Sequence, residues 1–245
     1  MEVHAHTHTA RKKWTHYFWE FLMLFLAVFC GFFAEYQLEH KIEKDKERQY
    51  IHSLLEDLYE DTAALTTTIN EFDGHLKRND TLIKLLTSND VKNHSSDLYY
   101  LGRRASRSVR LALHDFTIQQ MKSSGGFRLI RNQKVSKAII EYYNRTVFIE
   151  YLNGIESNES DEYRKMATEV FHPVVFNGIV KQDNTVTRPD GNPLLLTYDT
   201  KVLLRLAGMV SYIRNTKLGL MKAESEMKAA AIDLIQLIKK EYHLK

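Results

Sequence analysis

The sequence predicts an all-α protein in which one N-terminal transmembrane helix continues into a long-helix antiparallel bundle or coiled coil. Three observations carry that prediction. Only three prolines and ten glycines occur among 245 residues, and Leu, Lys, Glu, Ala and Ile are plentiful, a mixture that favours helix. A long apolar run, Tyr17 to Tyr36, stands near the N-terminus. Beyond it, apolar residues recur at alternating intervals of about four and three, the spacing of one helix face.

Residues 1–16 form a short tail of histidines and basic residues. The segment 17–36 follows, and at about 1.5 Å per residue it crosses a hydrocarbon layer of roughly 30 Å. Trp14, Tyr17 and Trp19 at one end and Tyr36 at the other suit the interfaces. A cleaved signal disagrees with Phe32, which stands where signal peptidase wants a small residue ahead of a cut at Glu35. A lipoprotein cut at Cys30 disagrees with Phe29 before it. The segment therefore reads as an uncleaved anchor. Arg11, Lys12 and Lys13 favour a cytoplasmic N-terminus and a domain outside the cytoplasm, although Lys41, Lys44, Lys46 and Arg48 weaken the local bias. Cys30 is the only cysteine, so no disulfide framework exists.

On a helical wheel Glu20, Leu24, Ala27, Gly31, Ala34 and Glu35 share one face, and Phe18, Phe21, Phe25, Phe29 and Phe32 share the opposite one. Small residues let a second helix approach, so the first face is the expected interface with another copy or with another membrane protein. Glu20 admits two readings. It reaches water near the helix's positive end and the cationic tail, or it faces a partner's polar group or an ion path.

Residues 37–50 form a charged helical neck, with Ile42 the aliphatic residue of its Glu39–Gln49 stretch. Residues 51–245 form the helical bundle domain. Its first helix carries the seam Ile51, Leu55, Leu58, Thr62, Leu65, Ile69, Phe72, Leu76 and runs to about Thr87. Asp97 caps a short helix, Leu98 to Ser106, and Asp115 caps another that ends at Gly125-Gly126. Asn132 opens a long helix to about Phe171, lined by Val135, Ile139, Tyr142, Ile149 and Leu152, with Pro173 as its stop. Residues 172–198, with all three prolines, form a loop with a small hairpin at Val174 to Val180. Asp199 caps the last helix, whose seam reads Leu203, Leu206, Val210, Ile213, Lys217, Leu220, Glu224, Met227, Ala231, Leu234, Ile238. Polar Lys217 and Glu224 within it are register-setting breaks. The first, third and last long helices are expected to pack together, with the short helices capping the far end.

The phrases "MEVHAHTH", "RKKW", "YFWEFLMLFLAVFCGFFAEY", "SLLEDLYED" and "QQMKSSGGFRLIRN" resemble an uncharacterised bacterial family of single-pass inner-membrane proteins. The resemblance covers residues up to about 145. It implies an inner-membrane anchor, a periplasmic helical domain and no established reaction, and it supplies no catalytic residues. It also implies that the sequons at Asn79 and Asn144 go unused in a bacterial chain.

Candidate chemistry is sparse. His4, His6 and His8 alternate as weak metal ligands in a tail without a supporting shell. Arg103, Arg104, Arg107 and Arg110 form an anion- or partner-binding patch, and if the stretch is helical Arg103, Arg107 and Arg110 share a face. The competing reading is a solvated or internally paired surface. Gly125-Gly126 lacks the strand and order of a phosphate loop, and Ser225 with Lys228 lacks the companion motifs of a serine–lysine site. The near-balanced net charge of +3 gives no bulk attraction for nucleic acid. The expected function is therefore structural: a membrane-anchored interaction protein, not an enzyme, without cofactor, that touches lipid and oligomerises or binds an inner-membrane partner. The alternatives are a sensory or regulatory ectodomain acting through such a partner, and a subunit of an ion- or proton-conducting assembly.

Overall fold

The computed structural model describes residues 14–244, and these are mostly helical, with no strand among them. In order they form α1 (Trp14–Leu86), a 3-10 turn (Val91–His94), α2 (Ser95–Ala105), α3 (Phe116–Ser124), a second 3-10 turn (Gly126–Leu129), α4 (Gln133–Val170), α5 (Pro173–Gly178) and α6 (Thr200–Glu241). The chain divides into two units, residues 1–50 and 51–245.

In the first unit, the described part is the N-terminal stretch of α1. It is long and apolar enough to cross a membrane, the one such helix among the described residues. Its large side chains point into open space: Trp14 is 82% exposed and Phe32 70%. Phe21, Phe25, Phe29 and Phe33 stack in sequence at centroid distances of 6.1 to 6.4 Å, one per helical turn.

The second unit has its own core, from Ile51 onward. Asn132 and Asp199 cap α4 and α6 as their positions predict. Asn132 accepts from the N–H groups of Lys134 and Val135, and Asp199 from those of Lys201 and Val202. All of the α6 seam named above is buried, Lys217 and Glu224 included. On α1 the buried line differs from the expected one. Thr62 and Ile69 are half-buried, and the line Leu54, Leu58, Asp61, Leu65, Thr68, Phe72, His75, Asn79, Leu82, Leu86 is buried instead. It keeps the four-three spacing but carries a polar residue every seven positions, at Asp61, Thr68 and His75. Burial of Asn79 also removes that sequon from the surface.

Asp61, Thr68 and His75 each meet a partner from a distant helix. Tyr142 of α4 donates its hydroxyl to Asp61 (2.7 Å), the Thr68 hydroxyl bonds the Glu224 carboxyl, and His75 Nδ1 lies 3.4 Å from Lys217 Nζ. Farther along α1, Arg214 donates to Asp80 (2.8 Å), so position falls along α6 as it rises along α1. These bonds satisfy polar groups that would otherwise cost a few kcal/mol each to bury, roughly 1–3 by the usual measure.

Several local expectations are corrected. The helix α2 starts at Ser95, so Asp97 sits in its first turn and pairs with Arg188 (2.6 Å) instead of capping. Asp115 stands before α3 but accepts from the Gln119 side chain, not from a cap N–H. Val174 to Val180 is not a hairpin: α5 occupies most of it, with Pro173 in the first helical turn, where its missing N–H costs nothing. A single bridge pairs Val180 with Val186. Of the short helices, α2 joins the core cluster that contains Leu82, Leu86, Val170 and Leu206. Instead of joining it at that end, α3 sits beside the start of this unit, where the Thr117 N–H donates to Asp57 (3.1 Å). Gly102 is required where α2 crosses the α4 end, because a Cβ there would lie 2.5 Å from the Phe171 ring.

Candidate functional site

The arginine-rich stretch is built at the exit of α2. That helix ends at Ala105, and residues 107–115 leave it in non-helical conformation. The physical reason lies beneath the segment. Buried Lys217 donates its ammonium to the carbonyls of Ala105 (3.0 Å) and Arg107 (2.8 Å), a cation placed at a helix C-terminus. Ser108 donates to both oxygens of buried Glu156 (3.1 and 2.9 Å) and Arg110 donates to one of them (3.1 Å). Lys217 Nζ lies 3.7 Å from the same carboxylate. The chain is thus pinned to α4 and α6 instead of continuing as helix.

This knot is strongly cationic. Burial pushes the Lys217 ammonium down to about 8, with Glu156 opposing and Arg78 adding to the shift. Burial and then the Lys217, Arg78, Arg104 and Arg107 charges push the His75 imidazole down to about 3, so it is neutral and can accept from Lys217. The Arg107 guanidinium is also lowered, by burial first and then by Arg104 and Arg103.

Since the stretch turns out of the helix after Ala105, Arg103, Arg107 and Arg110 do not share a helix face. Arg110 is held by Glu156 and by Asn153 (3.0 Å). Arg104 lies over the Tyr100 ring at 5.4 Å, its Nε buried without a partner. Arg103 and Arg107 line one cavity of about 710 Å³, together with Arg164 of α4. Nothing in the sequence marked Arg164. It sits in an acid-rich helical stretch, and only the packing of α4 against the α2 exit brings it here. The apolar part of the lining is made by Ala167, Phe171, Pro173 and Phe176, with the two phenylalanine rings stacked at 4.8 Å.

Glu20, Leu24, Ala27, Gly31 and Ala34, the residues expected at a helix–helix interface, all lie exposed on α1. A Cβ at Gly31 would meet nothing within 4 Å, and Glu20 pairs with His16 one turn earlier (3.1 Å). Gly125 ends α3 in the left-handed conformation, φ 67°, as a helix stop. Ser225 donates to the Met221 carbonyl of its own helix (2.7 Å). His4, His6 and His8 fall outside the described residues, and no cluster that could hold a metal occurs among the described ones. No family model matches the chain, and no curated protein or solved structure matches it either.

Proposed function

We propose that this chain is a membrane-anchored interaction protein of the bacterial inner membrane. In this reading residues 17–36 span the bilayer, the N-terminus stays cytoplasmic, and residues 51–245 stand in the periplasm as an antiparallel helical bundle. The protein acts by holding a partner or a second copy of itself, not by catalysis. The observation that carries the reading is the N-terminal part of α1, where Phe18, Trp19, Phe21, Leu24, Phe25, Val28, Phe29 and Phe32 are each half-exposed or more. A contiguous apolar surface of that length requires lipid or a protein partner as its solvent. The resemblance of the N-terminal half to single-pass inner-membrane proteins supports the same reading.

Within lipid, helices associate by close packing, so the face with Ala27, Gly31 and Ala34 is the contact and the phenylalanine ladder meets acyl chains. The test is the mass of the full chain in mild detergent, wild type beside Gly31→Leu. Wild type is expected above monomer mass, as oligomer or with a co-purifying membrane protein, and the leucine variant is expected to lose that mass. Identical masses for the two would remove the small-residue face from the proposal.

A further inference from the structure

The cavity beside the α2 exit has a charge imbalance that the fold does not itself resolve. Three guanidiniums line it and no carboxylate does. Arg164 is neutralised, because it pairs with Asp161 and also donates to the Ser106 carbonyl (3.1 Å). Arg107 donates to the carbonyl and side-chain oxygens of Asn184 (2.8 and 2.9 Å), both uncharged acceptors. Arg103 lies 5.0 Å over the Phe176 ring and donates to no acceptor among the described residues. Two cationic charges therefore face the same space without a counter-charge.

The hydroxyls around them are largely spent. Ser108 donates to Glu156, Tyr163 to the Gly102 carbonyl (2.7 Å) and Thr168 to the Lys165 carbonyl (2.6 Å). The open donors are guanidinium forks, whose planar geometry matches phosphate and carboxylate oxygens. A phosphomonoester carries about −1.5 to −2 near neutral pH, which offsets both charges, whereas a carboxylate offsets one. The volume, about 710 Å³, is that of an organic-ligand site and far exceeds one inorganic ion.

We propose that this cavity binds a phosphomonoester, its phosphate oxygens on Arg103 and Arg107 and its organic group against Pro173 and Phe176. The site is assembled from residues of the second unit and does not rest on the membrane reading. The phosphate can belong to a soluble ester or to a lipid headgroup, and the two sources separate by experiment.

The full chain is placed in phosphatidylcholine nanodiscs and titrated calorimetrically with phenyl phosphate, inorganic phosphate and phenol. Saturable binding of phenyl phosphate is expected, weaker for inorganic phosphate, absent for phenol, and weakened by added salt. Arg103→Gln is expected to reduce the affinity about tenfold, the loss of one charge-assisted contact. Arg103→Lys is expected to retain part of it, and Lys137→Gln, a charge removed elsewhere, to retain all. Because Arg103 makes no hydrogen bond within the described chain, its variants are expected to keep the wild-type helical signal. A parallel set of nanodiscs with phosphatidic acid reads the lipid source: a rise in melting temperature that Arg103→Gln abolishes assigns the site to a headgroup. No saturable binding of phenyl phosphate together with no such rise overturns the proposal, as does binding that Arg103→Gln leaves unchanged while the protein stays folded.

Discussion

His75 shows how a single side chain is made to depend on its neighbours. It is buried on α1 and faces Lys217 from α6, with the charges of Arg78, Arg104 and Arg107 also acting on it. Its folded value of about 3 lies below the ordinary 6.5. Between those values the unfolded chain binds the proton and the folded chain does not, so stability falls as pH drops through that window. The limit is ~1.4 kcal/mol per pH unit, and partial solvation reduces it. Asp61 and Glu224, both raised chiefly by burial, act in the opposite sense on acidification. The difference between wild type and His75→Gln therefore isolates the imidazole. Glutamine keeps an acceptor for Lys217 and does not titrate. The expected outcome is that thermal midpoints of the two proteins diverge as pH is lowered from about 6.5 toward 4, the wild type losing more. Parallel curves would show that His75 is solvated in the folded protein. At the alkaline side Lys217, lowered to about 8 from 10.5, gives stability that rises with pH between those values, and it does so in both proteins.

At the scale of elements, the helix termini were legible in the sequence where a local hydrogen bond sets them, and obscure where a distant partner does. Asn132 and Asp199 read correctly because their cap bonds reach only two and three residues ahead. The α6 seam read correctly too, since apolar residues on both sides of Lys217 and Glu224 fix the stripe that contains them. On α1 the same reasoning chose Thr62 over Asp61 and Ile69 over Thr68, because hydropathy alone ranks a threonine above a carboxylate and an isoleucine above a threonine. What buries Asp61 and Thr68 is Tyr142 and Glu224, far away in the chain. The arginine stretch was legible as residue types and not as geometry, for Lys217 and Glu156 decide where α2 ends. A cap that also bridges helices offers a quantitative check. Asn132 holds the α4 N-terminus and donates to Glu241 of α6 (2.6 Å). Asn132→Ala is expected to cost about 1–2 kcal/mol in denaturant unfolding, with Asn132→Ser keeping the cap and losing less. A cost near zero for alanine would mean that water replaces both bonds.

For the whole molecule the decisive contrast is between two units that solve the burial problem differently. Residues 14–50 bury almost nothing of their own, so their apolar side chains depend on an external medium. Residues from 51 onward supply a core running from Ile51 to Ile238, and every polar rung at Asp61, Thr68 and His75 finds its partner inside that same unit. A unit that has its own apolar core, and that pairs the polar groups Asp61, Thr68 and His75 within it, needs neither lipid nor anchor to stay folded. The chain shortened to residues 51–245 is therefore expected to be soluble without detergent, to keep a helical circular-dichroism spectrum and to melt in one cooperative transition. Its melting temperature is expected to match that of the full chain's soluble transition within a few degrees, about the shift that 1 kcal/mol produces in a domain of this size. Aggregation of the shortened chain, or a broad non-cooperative melt, would show that the first unit takes part in the second unit's core and would move the boundary at residue 50. Recovery of a stable monomer would instead locate any self-association of the full chain in the apolar segment, where Gly31→Leu acts.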